Sequence, residues 1–238
     1  MGDMVATMDA RSLAEISASP WYVAAHRSRD AINIQEFSKL RTGRRLISRS
    51  WNGFRLFEEP AYMVNFGYAH LYLPWEVWQV TPIRVRGYEP MLHHEARQIR
   101  ARGLQVVRRM PPGFEFGPNG SNVRRLVEQL AQAQHPPSDR RPPADYEIAM
   151  TFLEDQRRPG SWLHDARVSL AHTYLDVLTS GSATGPIGRW GRHTPAKLPA
   201  HTLIDAAVAG LSIPEAVTRH WGLDQGGDAD SAAKRFER

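Results

Sequence analysis

Apolar and polar residues alternate with two different periods along this chain. In "YMVNFGYAHLY" the even positions Tyr62, Val64, Phe66, Tyr68, His70 and Tyr72 fall on one side of an extended segment, because side chains of a strand alternate between its two faces. Together with Trp51, Phe54, Phe57, Trp75 and Trp78 they make residues 51–78 an aromatic-rich run that predicts β-strands. "LQVVRRM" at 104–110 predicts a further strand. Elsewhere the spacing is helical. "PMLHHEARQIRARG" predicts a short helix with Pro90 in its first turn and Gly103 at its C-terminal end. Asn119–Gly120 marks a turn, Ser121 is placed to cap "NVRRLVEQLAQAQ", and Val123, Leu126, Val127 and Leu130 share one face of that helix.

Periodicity vanishes at His135–Ala144, "HPPSDRRPPA", where four of ten residues are proline. That composition predicts a semi-rigid linker between two domains. The expected organisation is a basic α+β domain over 25–134, the linker over 135–144, and a helical domain over 145–238. "DYEIAMTFLEDQ" and "SWLHDARVSLAHTYLDVL" open the second domain with helical spacing, Leu163, Leu170, Tyr174 and Val177 lying along one side of the latter.

Charge sharpens this division. The net charge of +5 belongs to the first 144 residues, which hold 20 basic and 13 acidic side chains, whereas 145–238 hold 10 and 12. Lys39, Arg41, Arg44, Arg45, Arg49 and Arg55 crowd "KLRTGRRLISRSWNGFR" without an acid. A second concentration runs through Arg84, Arg86, Arg97, Arg100, Arg102, Arg108, Arg109, Arg124 and Arg125, diluted by Glu89, Glu95 and Glu115. Such clustering suits a binder of phosphate backbones, since each neutralised phosphate releases counterions; a solvated surface has the same composition, and both readings stay open. Arg124 and Arg125 near the start of their helix are also placed to help hold an anion. The aromatic run between the basic stretches suits either a platform for stacking unpaired bases or one inward face of a sheet, and the strand preference of aromatic residues favours the second.

Catalytic signatures are missing. Cysteine is absent, which removes disulfides, thiolate metal ligands and thiol nucleophiles together. No G-x-S-x-G, G-x-x-x-x-G-K-[ST] or G-x-G-x-x-G occurs after a strand. His93–His94–Glu95 falls short of H-E-x-x-H because Gln98 stands where the second histidine would be. Asp165, His172 and Asp176 project within a narrow arc of one helix, opposite its apolar side, and that arc reads as a solvated face rather than a metal site. We expect no enzyme activity, metal or cofactor. No apolar run approaches the roughly 20 residues that span a bilayer, and the first twenty residues carry Asp3, Asp9 and Glu15 without the apolar core of a secretory signal, so the expected location is the cytoplasm, away from membrane.

The C-terminal stretch "LPAHTLIDAAVAGLSIPEAVTRHWGLDQGG" has Leu198–Pro199, Gly210–Leu211–Ser212 and Trp221–Gly222–Leu223. In those features it resembles the helix-turn-helix of sigma factor region 4. The match covers about forty residues. Ser212 is the expected N-cap, Pro214 sits in the first turn, and Ile213, Val217 and Trp221 make the packing face. The stretch departs from that family in one extra residue in the first motif helix, in "LDQGGDAD" replacing a compact turn, and in Thr218 where alanine is usual. The resemblance implies a second helix from about Asp230 that offers Lys234, Arg235 and Arg238 to DNA. A Gly-rich basic arm before it, "TSGSATGPIGRWGRHTPAK", supplies Arg189 and Arg192.

Together these readings predict a DNA-binding regulator of transcription that contacts duplex DNA through Lys39, Arg41, Arg44, Arg45, Arg49, Arg124, Arg125, Arg189, Arg192, Lys234, Arg235 and Arg238. The alternative is a structural or adaptor protein of a phage or mobile element, docking a protein partner through residues 145–238. The slight acidity of that part favours this second reading.

Overall fold

The computed structural model describes residues 16, 19–25, 40–48, 53–65, 73, 76–90, 97–133, 141–156, 160–180 and 199–223. Its five strands are β1 (Trp21–Ala25), β2 (Arg45–Ile47), β3 (Phe54–Phe57), β4 (Glu76–Pro90) and β5 (Arg97–Arg109). All pairings among the described residues are antiparallel: β5 to β3, β3 to β1, β1 to β4 and β4 back to β5, a closed four-stranded barrel with β2 attached outside along β5. One edge of β5 is shared, pairing β3 through 98–101 and β2 through 103–105. The β1–β3 join consists of the pair Tyr22↔Phe57.

This barrel overturns the expected mixed α+β domain. The residues read as the helix "PMLHHEARQIRARG" enter β5 from Arg97 onward. Arginine, glutamine and alanine are good helix formers, but Ile99 and Ala101 point inward with Leu104 and Val106 while Arg102 and Gln105 are exposed. That is a spacing of two on either side of a change of phase at Gly103, and pairing on both edges decided the outcome over local propensity. The aromatic run is corrected as well: Pro60–Asn65 form a 3₁₀ turn rather than a strand, with Tyr62 and Met63 buried. Trp51, Phe66, Tyr68, Tyr72 and Trp75 lie outside the described residues.

Two apolar clusters hold the molecule. Trp21, Val23, Phe54, Leu56, Val80, Ile99, Leu104 and Val106 fill the barrel, and the Trp21 indole N–H donates to the Ile16 carbonyl at 2.7 Å. Outward from the same strands, Tyr22, Phe57, Val77 and Met110 join a second cluster with the helices. These are α1 (Gly120–Ala133), α2 (Tyr146–Asp155), α3 (Trp162–Ser180), α4 (Pro199–Val208) and α5 (Glu215–Trp221). On α1, Val123, Leu126, Val127 and Leu130 are buried, the face the sequence predicts. Ala166, Leu170 and Tyr174 form the buried stripe of α3 at intervals of four. Every residue of α4 from Thr202 to Ala206 is buried because α1, α2 and α3 surround it.

A tight passage links β5 to α1. Gly113 has φ 87°, and a Cβ on Gly120 would overlap the Gly113 carbonyl oxygen, so this approach admits only glycine. At the other end, Pro214 rather than Ser212 caps α5, without a side-chain hydrogen bond, while Val217 and Trp221 are buried as expected. Gly222, at φ 66°, closes α5, and the Leu223 amide donates to the Thr218 carbonyl. The second helix expected from about Asp230, with Lys234, Arg235 and Arg238, lies outside the described residues, as do 134–140 of the linker. No helix of the described residues is long and apolar enough to cross a membrane.

Candidate nucleic-acid interface

The sequence "IRVRG" at 83–87 belongs to β4 and "IRARG" at 99–103 to β5. Antiparallel pairing runs one against the other. Ile83 faces Gly103 and Val85 faces Ala101, so the register sets Arg84 opposite Arg102. Both are exposed, on the wall turned away from the barrel core that holds Ala101. One step on, the register shifts between Val85 and Gly87, leaving Arg86 as the extra residue of a bulge beside Arg100. On the other edge of β5, Arg55 of β3 is paired directly with Arg100.

Like charges directly opposite one another destabilise a ladder, since their Cβ atoms lie only about 5 Å apart. Backbone strain is added at Arg84, the one non-glycine among the described residues with positive φ, at 53°. A left-handed conformation costs a side-chain-bearing residue roughly 1–2 kcal/mol, and strain of this kind collects at functional sites.

The β2 edge extends the same wall. Arg44 accepts at its carbonyl from the Val106 amide at 2.8 Å, Arg45 pairs with Gln105, and the Ser48 amide donates to the Arg102 carbonyl at 2.9 Å. The turn before β2 is closed by the Arg44 amide on the Arg41 carbonyl at 3.0 Å. Arg41, Arg44 and Arg45 are all exposed. This edge therefore brings Arg41, Arg44 and Arg45, expected to contact DNA, next to Arg84, Arg86 and Arg102 of the second basic concentration. At the other end of the ladder Glu76 pairs with Arg109 at 2.9 Å, and Arg108 donates to Gln79 at 2.9 Å.

Other predicted contacts lie elsewhere. Arg124 directs Nε to the Glu128 carboxylate at 2.9 Å, and its guanidinium sits 6.0 Å from the Tyr174 ring centroid. Tyr174 donates its hydroxyl to the same carboxylate at 2.9 Å. The group ties α1 to α3. Arg125 is exposed on α1 and reaches Asn122 at 3.4 Å. Lys39, Arg49, Arg189, Arg192, Lys234, Arg235 and Arg238 lie outside the described residues.

The arc expected to be solvated on α3 is partly enclosed. His172 Nε2 stands 2.9 Å from the buried Asp205 carboxylate of α4, and its ring stacks on His201 at 4.3 Å between centroids. Burial, and then the neighbouring His172, push the His201 imidazole down to about 4. The described residues contain no group of three or more histidine or acidic side chains arranged to hold a metal. The aromatic side chains of the run weighed as a stacking platform or an inward sheet face are also accounted for where described: Phe54, Phe57 and Tyr62 are buried in the two clusters, and Trp78 is half-buried against the barrel core.

Comparison of the chain with protein-family models, with curated proteins and with solved structures gives no match.

Proposed function

We propose that this chain is a nucleic-acid-binding regulatory protein that acts by binding, and that the outer wall of its barrel grips the phosphate backbone, duplex DNA being the expected target. The observation that carries this reading is Arg84, held in a strained conformation opposite Arg102. Folding alone favours neither the strain nor the like-charge pair, whereas a bound polyanion offsets the repulsion between the two guanidinium groups. Burial of Phe54, Phe57 and Tyr62 supports backbone contact over base stacking.

The test is a titration of the full chain with duplex DNA at several salt concentrations. Engagement of Arg41, Arg45, Arg84 and Arg102 corresponds to a slope of log K on log salt of about −4. Arg84→Gln combined with Arg102→Gln should lower that slope by about 2 and weaken binding on every sequence alike. A salt-independent affinity, or an unchanged slope in the double variant, counts against the reading.

A second reading, an adaptor docking a protein partner, is favoured by one feature of α2. Ile148 and Phe152 are 73% and 53% exposed at a spacing of four, and the exposed acids Asp145, Glu147, Glu154 and Asp155 surround them. An apolar pair with an acidic rim suits a basic amphipathic helix. Ile148→Ser combined with Phe152→Ser leaves DNA affinity intact under the first reading and abolishes partner capture under the second.

A further inference from the structure

Between the barrel and α3 lies a cleft of about 410 Å³, within the range of small-ligand sites. Four separate stretches of chain build it. Tyr22 projects outward from β1, Glu58 and Glu59 follow β3, Tyr62 comes from the 3₁₀ turn, Phe114 from the passage after β5, and Ser161 from the residue before α3. The rings of Tyr22 and Phe114 meet at 5.2 Å and 49°, giving the cleft an aromatic corner. The lining carries two carboxylates and no cationic side chain. Arg167 of α3 reaches Glu59 at 3.3 Å.

These walls select by charge. An anion entering meets Glu58 beside a Glu59 already paired with Arg167, and a neutral apolar group gains nothing from either. A cation gains from the carboxylates by Coulomb attraction in a partly desolvated space and from the aromatic faces, whose quadrupole attracts positive charge. Burial, followed by repulsion from Glu58, already raises the pKa of Glu59 against the pull of Arg167; a second positive charge relieves that cost. Pro20 and Leu163 add apolar surface for a short hydrocarbon stem.

We propose that this cleft binds an alkylammonium group, the chemistry shared by a free amine and by a lysine side chain presented on a peptide. The proposal is independent of the arginine wall, so either reading can fail alone.

The experiment follows the tyrosine ring signals of the full chain by NMR while n-butylammonium, its neutral counterpart n-pentanol, or the peptide acetyl-Ala-Lys-Ala-amide is added. The expected result is saturable shifts at Tyr22 and Tyr62 with the amine and none with the alcohol. Glu58→Gln should weaken the amine at least tenfold, its ligand-free spectrum reporting whether the fold is intact. Ser161→Lys, at an exposed position, places an ammonium at the rim and should compete in the same way if Glu58→Gln fails to fold. An affinity at least tenfold higher for the peptide assigns the site to a lysine carried on a protein, and equal affinity to a free amine. Equal response to alcohol and amine, no response to either amine or peptide, or undiminished amine affinity in a folded variant overturns the proposal.

Discussion

Arg84 stands opposite Arg102 across the β4–β5 ladder with its backbone in the left-handed region. Glycine adopts that conformation without steric cost, so Arg84→Gly removes both strain and like-charge repulsion. We expect the variant to be more stable by about 1 kcal/mol and to bind duplex DNA more weakly. Urea denaturation and a DNA titration on the same preparation check both halves. Lower stability with unchanged affinity would show that Arg84 serves the fold.

Glu115 supplies the pH dependence. Its side chain is 2% exposed with Oε1 unbonded, and Arg124 and Glu128 of α1 and Tyr174 of α3 surround it. Desolvation pushes its carboxyl up to about 7 from 4.5, against the pull of Arg124. A carboxyl with a raised folded pKa holds its proton more tightly in the folded state. Its penalty is therefore absent below about pH 4.5, grows as pH rises, and is complete above about 7. Glu115→Gln should leave stability at pH 4 unchanged and raise it at pH 8 by up to about 3 kcal/mol. Equal differences at the two pH values in urea melts would sink the assignment.

Trp221 ends α5 inside the cluster shared by the helices and the outer barrel wall, next to Val217. Truncation to alanine should cost about 3–5 kcal/mol. Thermal melting measures it, and an unchanged midpoint would place the indole at the surface.

Tyr174→Phe deletes the hydroxyl that donates to Glu128 but leaves the Arg124 pair in place. A loss of about 1–2 kcal/mol is expected, together with a steeper response to Arg124→Ala than in the parent, because the two contacts share one carboxylate. Additive losses in the double-mutant cycle would separate them.

α1 was legible because it repeats its apolar residues at one period: Val123, Leu126, Val127 and Leu130 needed no partner to reveal its face. The barrel was legible only in part: "LQVVRRM" reads as a strand and forms the second half of β5, but in "QIRARG" the helical propensity of Gln98, Arg100 and Ala101 competes with their alternation, and only pairing to β3 and β4 selects the strand. The arginine wall was half visible. Arg41, Arg44 and Arg45 stood out as a run, but the facing of "IRVRG" and "IRARG" depends on a register that single segments do not encode. The repetition itself was the available signal. His172 looked solvated because its partner Asp205 belongs to another helix, 33 positions further along the chain.

The single Tyr22↔Phe57 join between β1 and β3 bears on how the chain reaches this state. β4 and β5 are separated by only six residues, so their hairpin closes a short loop, whereas β1 must find Val80 and Phe57 across long stretches of chain, at a greater cost in loop entropy. Assembly thus begins at the hairpin and finishes where Tyr22 meets Phe57. In pulsed hydrogen exchange during refolding, amides of Thr81, Gly103 and Gln105, which face each other across β4 and β5, should gain protection before those of Tyr22 and Phe57. The arginine wall is carried largely by that early hairpin, so its register is set before the barrel shuts. Simultaneous protection of all five amides would mean instead that the barrel forms in one step.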